Sequence, residues 1–600
     1  MNKIATWYLS FLAGLGILVA TNLLSGWGEW YSNHLPCRWQ DEVFLKGHVI
    51  MAETPSGIGW DMAWGAIGVQ QSWGLAVPLW RLPFEALAHV LNFPAFPDRL
   101  AFGIFLMLGI AAVVRLSQPV TALKLDWWRL WLALLSVVLF PPFLALCCSR
   151  FLLYEEVVAY GYVASLLLFA WASRLCQKPN WQGFYALALI AGFTPFIRPT
   201  FGVYGMASLV LASIGFYQTR RDLIKISLGG ALFAVGPLAL GWSNAVRFGS
   251  ALEFGHSLMF NGIDAMRFAS RFGHPYSSEP LSSALKELFG LLFLSKNANA
   301  GDGYLPNAFF WQSQTFRWRE LYINTFDLTI LGMLLVAGAW FCFRVINRNF
   351  LNELKTNICA QLCLWAGLAL LPLCGFYLRF PFISSRYLLD FGPALAGGVW
   401  VFFLLLLHAC GRGFSGWKNL AAKWLLLIAA VAWWYQEIST ISLAGRERTW
   451  SVSQLRERMA SDTKESQRII HLPSNCYTNG FDFTATHITY NGWGFGQSNS
   501  CICVPVFVES PQYLALELAA VDNHILTTND CALIKAKVGL EFLQVESAAV
   551  TTNTIKLRFF GPQREQYQKG IQAVFIALIR PEDLGRAVPK FYLTKVTWRD

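Results

Sequence analysis

Residues 98–116 read DRLAFGIFLMLGIAAVVRL, and this stretch decides the fold class. No charged side chain lies between Arg99 and Arg115. A helix needs roughly 20 such residues to cross the ~30 Å hydrocarbon core of a bilayer, so the stretch is a candidate membrane span. The sequence predicts a mostly α-helical, polytopic transmembrane bundle with about eleven spans. The candidate spans are 5–26, 98–116, 128–148, 155–174, 182–198, 200–217, 226–243, 327–345, 357–378, 387–409 and 420–437.

The composition agrees with a membrane location. Of the 600 residues, 55% are hydrophobic and only 14% are charged, whereas about 25% of the residues in soluble domains are charged. With 26 Trp, 47 Phe and 19 Tyr, the chain has too much apolar surface to be disordered. Its net charge is +11, but it has no isolated basic block suited to a phosphate backbone. A soluble multidomain enzyme is therefore excluded, and we expect membrane lipid, not nucleic acid, as a partner.

The loop charges predict the orientation in the membrane. Positive charge resists translocation, so Lys and Arg concentrate in cytoplasmic loops. If the N-terminus is cytoplasmic, the inner segments hold fourteen basic residues and three acidic ones. The acidic residues are Asp126, Asp222 and Glu353, and the basic residues are Lys3, Arg115, Lys124, Arg174, Lys178, Arg220, Arg221, Lys225, Arg344, Arg348, Lys355, Arg412, Lys418 and Lys423. We therefore expect a multi-pass protein of the bacterial inner membrane with a cytoplasmic N-terminus and an extracytoplasmic C-terminal domain.

Two domains are predicted, and most of the irregular chain lies on the outer side. Residues 1–437 form the transmembrane domain, which includes the long outer loops 27–97 and 244–326. Within the first loop, the apolar stretch 72–92 is interrupted by two prolines and two charged residues, so we expect a helix in the membrane interface. Residues 438–600 form the second, extracytoplasmic domain. Irregular chain on one face is typical of a protein that works on that face.

The C-terminal domain is predicted to be β-rich. It alternates apolar and polar residues in short runs, which is typical of strands. These runs are 469–470, 481–490, 501–508, 554–560 and 573–579. The domain also has four cysteines, and an even number on an oxidising face indicates two disulfides of open connectivity, with buried free thiols as the alternative. They are Cys476, Cys501, Cys503 and Cys531.

Acidic residues at the predicted outer surface are candidates for catalysis. Asp41 and Glu42 follow the first span within Arg38-Trp-Gln-Asp41-Glu42-Val-Phe-Leu, and Glu155 and Glu156 open the fourth span. A carboxylate there can act as a general base towards a sugar hydroxyl or as a ligand of a divalent cation. The alternatives are a solvated helix start for Asp41 and Glu42, and interfacial charges for Glu155 and Glu156.

Three arginines complete the set of candidate site residues. Arg198 joins the fifth and sixth spans, Arg247 follows the seventh, and Arg386 with Tyr387 opens the tenth. A guanidinium can hold a phosphate through two parallel, charge-assisted hydrogen bonds. The alternative is that these arginines contact lipid headgroups at the interface. Outer acids together with outer arginines supply what is needed to move a glycosyl group from a lipid phosphate to an acceptor.

Several of these stretches carry a resemblance to a known family. They are Asp41-Glu42, Tyr154-Glu155-Glu156, Arg198-Pro199-Thr200, Asn244 to Gly255, and Arg386-Tyr387. With an inside N-terminus and a long first outer loop, residues 1–437 resemble the GT-C superfamily of polyprenyl-phosphate-sugar-dependent glycosyltransferases. One difference is that Asp61-Met-Ala-Trp-Gly stands where several members have an Asp/His-Pro-Pro-Leu segment. The tail lies outside the resemblance.

The resemblance implies a hexosyltransferase with Asp41 as its base or metal ligand and Glu42 beside it. A divalent metal ion, if one is used, would be bound by these two residues. Glu155, Glu156, Arg198, Arg247, Arg386 and Tyr387 would then bind substrate. The implied partners are a polyprenyl-phosphate sugar donor and a glycan, lipid or protein acceptor in the cell envelope.

Two alternatives from other classes remain open at the level of sequence. A transporter or lipid-linked-sugar flippase would also be polytopic, but it should carry polar residues at mid-span and broken helices related by a repeat. Most charges here lie at the ends of spans. The other alternative is a non-catalytic scaffold of cell-envelope glycan assembly, whose tail recruits partners.

Overall fold

A computed structural model gives the structure of the chain. The residues that it describes are 10, 14, 31, 36–51, 62–65, 67–72, 74–117, 126–148, 153–220, 222–258, 280–294, 318–320, 326–346, 353–380, 382–440, 487–488, 500–507, 513–520, 525–532, 534–538, 541–563, 571–578 and 591–599. The predicted first span, 5–26, lies almost wholly outside these residues, as do Cys476 and the predicted strand at 469–470.

Helices dominate the described chain up to residue 440. They are α1 (Pro36–Leu45), α2 (Ala76–Val90), α3 (Asp98–Leu116), α4 (Trp127–Ala133), α5 (Pro141–Cys148), α6 (Leu153–Gln177), α7 (Trp181–Gly192), α8 (Gly202–Arg220), α9 (Leu223–Phe248), α10 (Leu281–Phe293), α11 (Leu328–Ile346), α12 (Ile358–Leu378), α13 (Ser385–Leu388), α14 (Gly392–Gly413), α15 (Gly416–Thr440) and, in the tail, α16 (Thr528–Cys531).

Strands are short before residue 440 and dominate after it. They are β1 (Met62–Gly65), β2 (Gly68–Gln71), β3 (Trp318–Glu320), β4 (Phe382–Ser384), β5 (His487–Ile488), β6 (Ser500–Phe507), β7 (Tyr513–Ala520), β8 (Ile534–Val538), β9 (Glu541–Phe542), β10 (Val545–Val550), β11 (Thr554–Phe560), β12 (Ile571–Leu578) and β13 (Phe591–Arg599).

The chain divides into two compact units. The first unit comprises 1–41, 74–240 and 279–456, and the second comprises 42–73, 241–278 and 457–600. Parts of both predicted outer loops are thus grouped with the tail.

Seven helices among the described residues are long and apolar enough to cross a membrane. They are Asp98–Leu116, Glu155–Gln177, Pro199–Gln218, Leu223–Phe248, Leu328–Ile346, Ile358–Leu378 and Arg386–Gly413, and each matches a predicted span. A bent pair, Trp127–Val138 with Pro141–Cys147, gives an eighth if it is one span. These helices make the chain a multi-pass membrane protein.

Two of the eleven predicted spans do not meet the same criteria. The segment predicted at 182–198 forms only the 12-residue helix α7. Pro195 interrupts it, and the chain continues as two short 3₁₀ turns, the second of which begins at Pro199. Helix α15, at the segment predicted as 420–437, is 25 residues long. Its Lys418 and Lys423 and a run of Trp and Tyr residues lower its mean hydropathy.

The first unit is built around α6, which packs against α3 and α8, while α12 packs against α8 and α14. Where α7 meets α9, glycines allow the backbones to approach closely. A Cβ atom at Gly236 would lie 1.9 Å from the carbonyl oxygen of Gly192, and one at Gly192 would lie 2.2 Å from that of Phe233. Small residues have this role in membrane helix pairs because packing replaces the hydrophobic effect there.

The bend between α4 and α5 follows from Pro141, and two side chains supply hydrogen bonds to backbone carbonyls at the bend. A π-helical segment, Leu134–Val138, precedes Pro141, and the two limbs meet at 51°. Proline has no backbone N–H, so the carbonyl of Val137 lacks its helical donor. The Tyr162 hydroxyl donates to that oxygen at 2.6 Å, and Trp434 Nε1 donates to the Leu139 carbonyl at 2.7 Å.

The described part of the tail is β-rich, as predicted. One five-stranded sheet has the order β10-β11-β7-β13-β5, and a four-stranded sheet has the order β6-β12-β8-β9. All their pairings are antiparallel, and β11 alternates buried and exposed residues in register with β7. Cys531 is a buried free thiol in the structure, and it is not part of a disulfide there. For this residue the alternative of a buried thiol is correct.

Candidate functional site

Six charged side chains from four helices form a buried group in the first unit, which we call the acidic group. Each is at most 3% exposed. The members are Arg38 and Asp41 of α1, Arg81 and Glu85 of α2, Asp98 of α3 and Glu156 of α6. Asp98 and Glu156 lie in the first turns of their helices, where the helix dipole favours negative charge.

Arg81 is the centre of the acidic group. Its Nε lies 3.3 Å from Asp41 Oδ2, its Nη2 lies 3.1 Å from Glu85 Oε1, and its Nη1 lies 3.4 Å from Glu156 Oε1. The contact with Glu85 joins positions i and i+4 of α2, which share one face of a helix. One guanidinium thus contacts carboxylates from three helices.

Arg38 anchors the other side of the acidic group. Its Nη2 lies 3.2 Å from Asp98 Oδ1, and its guanidinium lies 5.3 Å from the centroid of the Tyr31 ring. The Tyr31 hydroxyl in turn donates to the Ala95 carbonyl at 3.2 Å. Glu85 also accepts the backbone N–H of Phe96 at 2.9 Å, so the chain leading into α3 is held on both sides.

The charges of the acidic group do not balance. Two arginines face four carboxylates, which leaves two formal negative charges in excess among the six side chains. Burial raises the pKa of Asp41 well above its ordinary value of 3.8, Arg81 opposes the rise, and Glu85 and Glu156 add to it. A raised pKa brings a carboxylate closer to the range in which a general base works best.

Asp41 also has unused hydrogen-bonding capacity. Its Oδ1 atom is buried and has no hydrogen-bond partner among the described residues, while Oδ2 faces Arg81. Buried carboxylate oxygens are normally satisfied, so an orphan oxygen at this position is consistent with a substrate-binding role. Asp41 is thus buried, with one carboxylate oxygen facing Arg81 and the other without a partner among the described residues.

The other predicted acids differ in their environment. Glu42 is partly exposed, and Glu155, next to Glu156, is buried. Among the described residues, no group of three or more His, Cys, Asp or Glu side chains has the arrangement that a metal ion requires. Asp41 and Glu42 are thus not part of such a group among the described residues.

A second group in the first unit unites three of the predicted residues, and we call it the arginine–tyrosine group. Arg198 lies over the Tyr387 ring at 4.3 Å from its centroid, and Arg386 lies 5.5 Å from the same centroid. Arg198 Nη2 is also 3.4 Å from Asp390 Oδ2 and 3.4 Å from the Tyr377 hydroxyl. Tyr377 donates to the Asp390 carboxylate as well.

The arginine–tyrosine group has the opposite charge balance to the acidic group. Two guanidinium groups share one ring, and the buried Asp390 pairs with Arg198. Arg198, Arg386 and Asp390 together carry one formal positive charge in excess, which suits an anionic ligand. The Arg198 side chain is 15% exposed and Arg386 is partly exposed, so a ligand can reach the group.

Arg247 lies in the second unit and has different contacts. Its Nε donates to Gln70 Oε1 at 3.3 Å, its Nη2 donates to the Gln71 carbonyl, and its guanidinium lies 4.5 Å from the Phe248 centroid. It is buried, and it forms no ion pair with a described residue. Amide groups of β2 therefore hold this guanidinium without neutralising it.

Sequence reasoning missed the central member of the acidic group. Arg81 and Glu85 were attributed to an interfacial helix because charges interrupt an apolar run there. Their i, i+4 spacing was the available signal, since it places both on one face of α2. Arg198 and Tyr377 lie 179 residues apart in the sequence, so no local pattern indicates their contact. The same holds for the contact of Arg198 with Asp390.

Comparisons with known proteins include a similarity to a solved structure. No family model matches the chain, and no curated protein matches it. The chain is similar to arabinosyltransferase EmbB from Mycobacterium smegmatis, solved by single-particle cryo-EM, with a TM-score of 0.31 and 10% sequence identity. The match covers 98% of this chain and 68% of the other.

Proposed function

We propose that this protein is a membrane glycosyltransferase that transfers a sugar from a polyprenyl-phosphate donor to an acceptor on the outer side of the membrane. The observation that carries the proposal is the setting of Asp41. Its buried Oδ1 has no hydrogen-bond partner among the described residues, and four carboxylates surround only two arginines. An unpartnered carboxylate oxygen in an excess of negative charge favours binding of a hydrogen-bond donor such as a hydroxyl group.

The proposed chemistry assigns the base role to Asp41. Its carboxylate accepts the proton of an acceptor hydroxyl, and the hydroxyl oxygen forms a bond to the anomeric carbon of the sugar. The bond from that carbon to the phosphate oxygen breaks, and the lipid phosphate leaves with the electron pair. Arg81 contacts Asp41 at 3.3 Å and orients its carboxylate, so we assign Arg81 a positioning role. Glu42 and Glu155 are proposed to line the acceptor side.

The leaving phosphate requires cations, and the arginine–tyrosine group supplies them. Arg198 Nη2 lies 3.4 Å from Asp390 Oδ2, and Arg386 lies beside Arg198 against the same Tyr387 ring. We propose that Arg386 and Arg198, which both lie against the Tyr387 ring, bind the phosphate.

The test is an Asp41→Asn replacement in the cells that produce the protein, with surface glycans as the readout. Removing a general base lowers the rate of proton transfer by about 10²- to 10⁴-fold, so the glycan product should disappear at an unchanged protein level. The matched control is Asp222→Asn, which makes the same change at a surface residue paired with Lys225 at 2.8 Å. A wild-type glycan profile in the Asp41→Asn cells would exclude the proposed function.

A further inference from the structure

A cavity of about 880 Å³ lies within the first unit between α3, α6 and α7. Its walls are mainly apolar. The residues that line the walls include Phe105, Ala164, Leu168, Trp171, Ile190 and Phe193. Ligand pockets in proteins commonly measure about 300–1,000 Å³, so this cavity is large enough for a substantial apolar ligand. Because it runs along helices that can span a membrane, an acyl chain has direct access to it.

Three cations line one end of the cavity: Arg115, Arg174 and Lys178. All three side chains are exposed. Arg174 and Lys178 are four residues apart at the end of α6, and neither forms an ion pair with a described residue. Like charges at this spacing repel each other unless an anion lies between them.

The helix dipole explains only part of this arrangement. Cations are favoured at the C-terminal end of a helix, and both Arg115 and Arg174 lie in the last turns of their helices. The dipole does not explain why cations from α3 and α6 converge on the same end of an apolar cavity. An anionic group bound at that end would account for the convergence.

The cationic end lies far from the proposed catalytic residues. Glu156 and Arg174 are both on α6, and at 1.5 Å per residue they lie about 27 Å apart. This distance is close to the ~30 Å thickness of a bilayer core, so the two ends of α6 reach opposite membrane surfaces. A ligand whose phosphate contacts Arg174 therefore cannot present that phosphate to the acidic group.

We propose that this cavity binds an anionic phospholipid. One acyl chain occupies the apolar walls, and the phosphate of the headgroup contacts Arg115, Arg174 and Lys178. An acyl chain matches the apolar walls, and a phosphate matches the three cations at the membrane surface. These two features together indicate an anionic phospholipid. The inference is independent of the proposed function, because it concerns the opposite surface of the membrane.

The test measures which lipids the full chain retains. Wild-type protein is incubated in vesicles with equal amounts of phosphatidylglycerol and phosphatidylcholine, extracted in mild detergent and analysed by native mass spectrometry. We expect preferential retention of phosphatidylglycerol. An Arg174→Gln/Lys178→Gln variant should lose this preference on the order of tenfold, since each cation near an anionic headgroup strengthens binding severalfold. A charge-conserving Arg174→Lys/Lys178→Arg variant should keep it.

Two further variants separate a specific site from general electrostatics. Lys418→Gln/Lys423→Gln removes the same charge from α15, and neither lysine lines the cavity, so the preference should persist. Ala164→Phe fills the cavity wall and should lower retention of both lipids. An unchanged preference in the Arg174→Gln/Lys178→Gln variant, or an equal loss in the α15 variant, would overturn the proposal. So would selective retention of added undecaprenyl phosphate over phosphatidylglycerol, which would identify a donor site instead.

Discussion

Arg81 and Asp41 lie forty positions apart in the sequence, and the Nε of one is 3.3 Å from the Oδ2 of the other. The contact joins α1 to α2 and brings the carboxylate of Asp41 to the carboxylates of Glu85 and Glu156. Because Arg81 forms ion pairs with three carboxylates, its ion pair with each one is weaker than that of an arginine paired with a single carboxylate. The stability and the chemistry of the acidic group both depend on this sharing.

Replacing Asp41 by Asn should leave the protein as stable as the wild type, or more stable, at neutral pH. Arg81 keeps Glu85 at 3.1 Å and Glu156 at 3.4 Å, while one buried negative charge is removed. The folded state raises the pKa of Asp41, so this residue favours folding at low pH, and that contribution is lost as the pH rises above 3.8 through the raised pKa.

The measurement is the thermal midpoint of detergent-purified Asp41→Asn and wild-type protein from acid to neutral pH. The thermal midpoint of the variant should exceed that of the wild type by an amount that grows as the pH rises from 3.8 through the raised pKa of Asp41. The difference should vanish at the acid end of the range. A variant that melts well below the wild type at neutral pH would show that Asp41 is held as a stabilising ion pair, and the proposed base role would lose its support.

Replacing Arg81 by Gln should destabilise the protein severely. The guanidinium is 3% exposed, and its loss leaves three buried carboxylates without their cation. Breaking a buried ionic contact of this kind costs about 3–5 kcal/mol. The control is Arg129→Gln, since Arg129 pairs with Asp126 at 3.2 Å on the surface, where the cost is about 0–1 kcal/mol. Chemical denaturation of both variants checks the difference.

Replacing Gly236 by Ala should separate α7 from α9. The added Cβ would lie 1.9 Å from the Gly192 carbonyl oxygen, so backbone must shift, and overpacking costs about 1–3 kcal/mol. Gly230 on the same helix has no atom within 4 Å of an added Cβ, and Gly230→Ala should stabilise the helix by up to about 1 kcal/mol. Opposite shifts of the thermal midpoint are expected. Equal shifts would contradict the close packing.

Replacing Arg386 by Gln should weaken donor binding more than turnover. If this residue binds the phosphate of the donor, the loss of one charge-assisted contact costs about 1.5–3 kcal/mol, which is roughly a 10- to 150-fold rise in KM. The comparison is Arg412→Gln at the exposed end of α14, which should not change KM. A fall in kcat with an unchanged KM for the lipid-linked donor would argue against the phosphate role.

Cys531 should react as a thiol only after unfolding. It is buried and free, so a maleimide should label it in denaturant without any reductant and should not label it in the folded protein. Mass spectrometry of the peptide that contains Cys531 gives the result. A peptide that appears only after reduction would restore the disulfide predicted from the even number of cysteines.

The membrane helices were predictable because the length and apolarity of a span are set by the bilayer, independently of the other helices. The run 98–116 and helix α3 coincide for this reason. The two predicted spans at α7 and α15 that do not meet the length and hydropathy criteria have local causes, namely Pro195 in one segment and Lys, Trp and Tyr residues in the other. The tail strand at 554–560 also follows directly from its alternating pattern.

The candidate site was predictable only in part. The ends of apolar runs hold Asp41, Arg198, Arg386 and Tyr387. Charged residues near hydrocarbon are costly, so those at such positions are candidates for function. Their partners could not be found in the same way, since ion pairs such as Arg198 with Asp390 depend on how distant helices pack. For Arg81 the spacing to Glu85 was visible, but burial of both residues is a tertiary property.

The break between α4 and α5 constrains any related sequence. Tyr162 and Trp434 come from two other helices, and each supplies the donor that an ordinary helical turn would have provided. In hydrocarbon an unsatisfied carbonyl costs several kcal/mol, so we expect the proline and its two aromatic donors to be kept or lost together. Homologues that retain a proline at position 141 should retain hydrogen-bonding side chains at 162 and 434, whereas homologues without that proline are free to lose both.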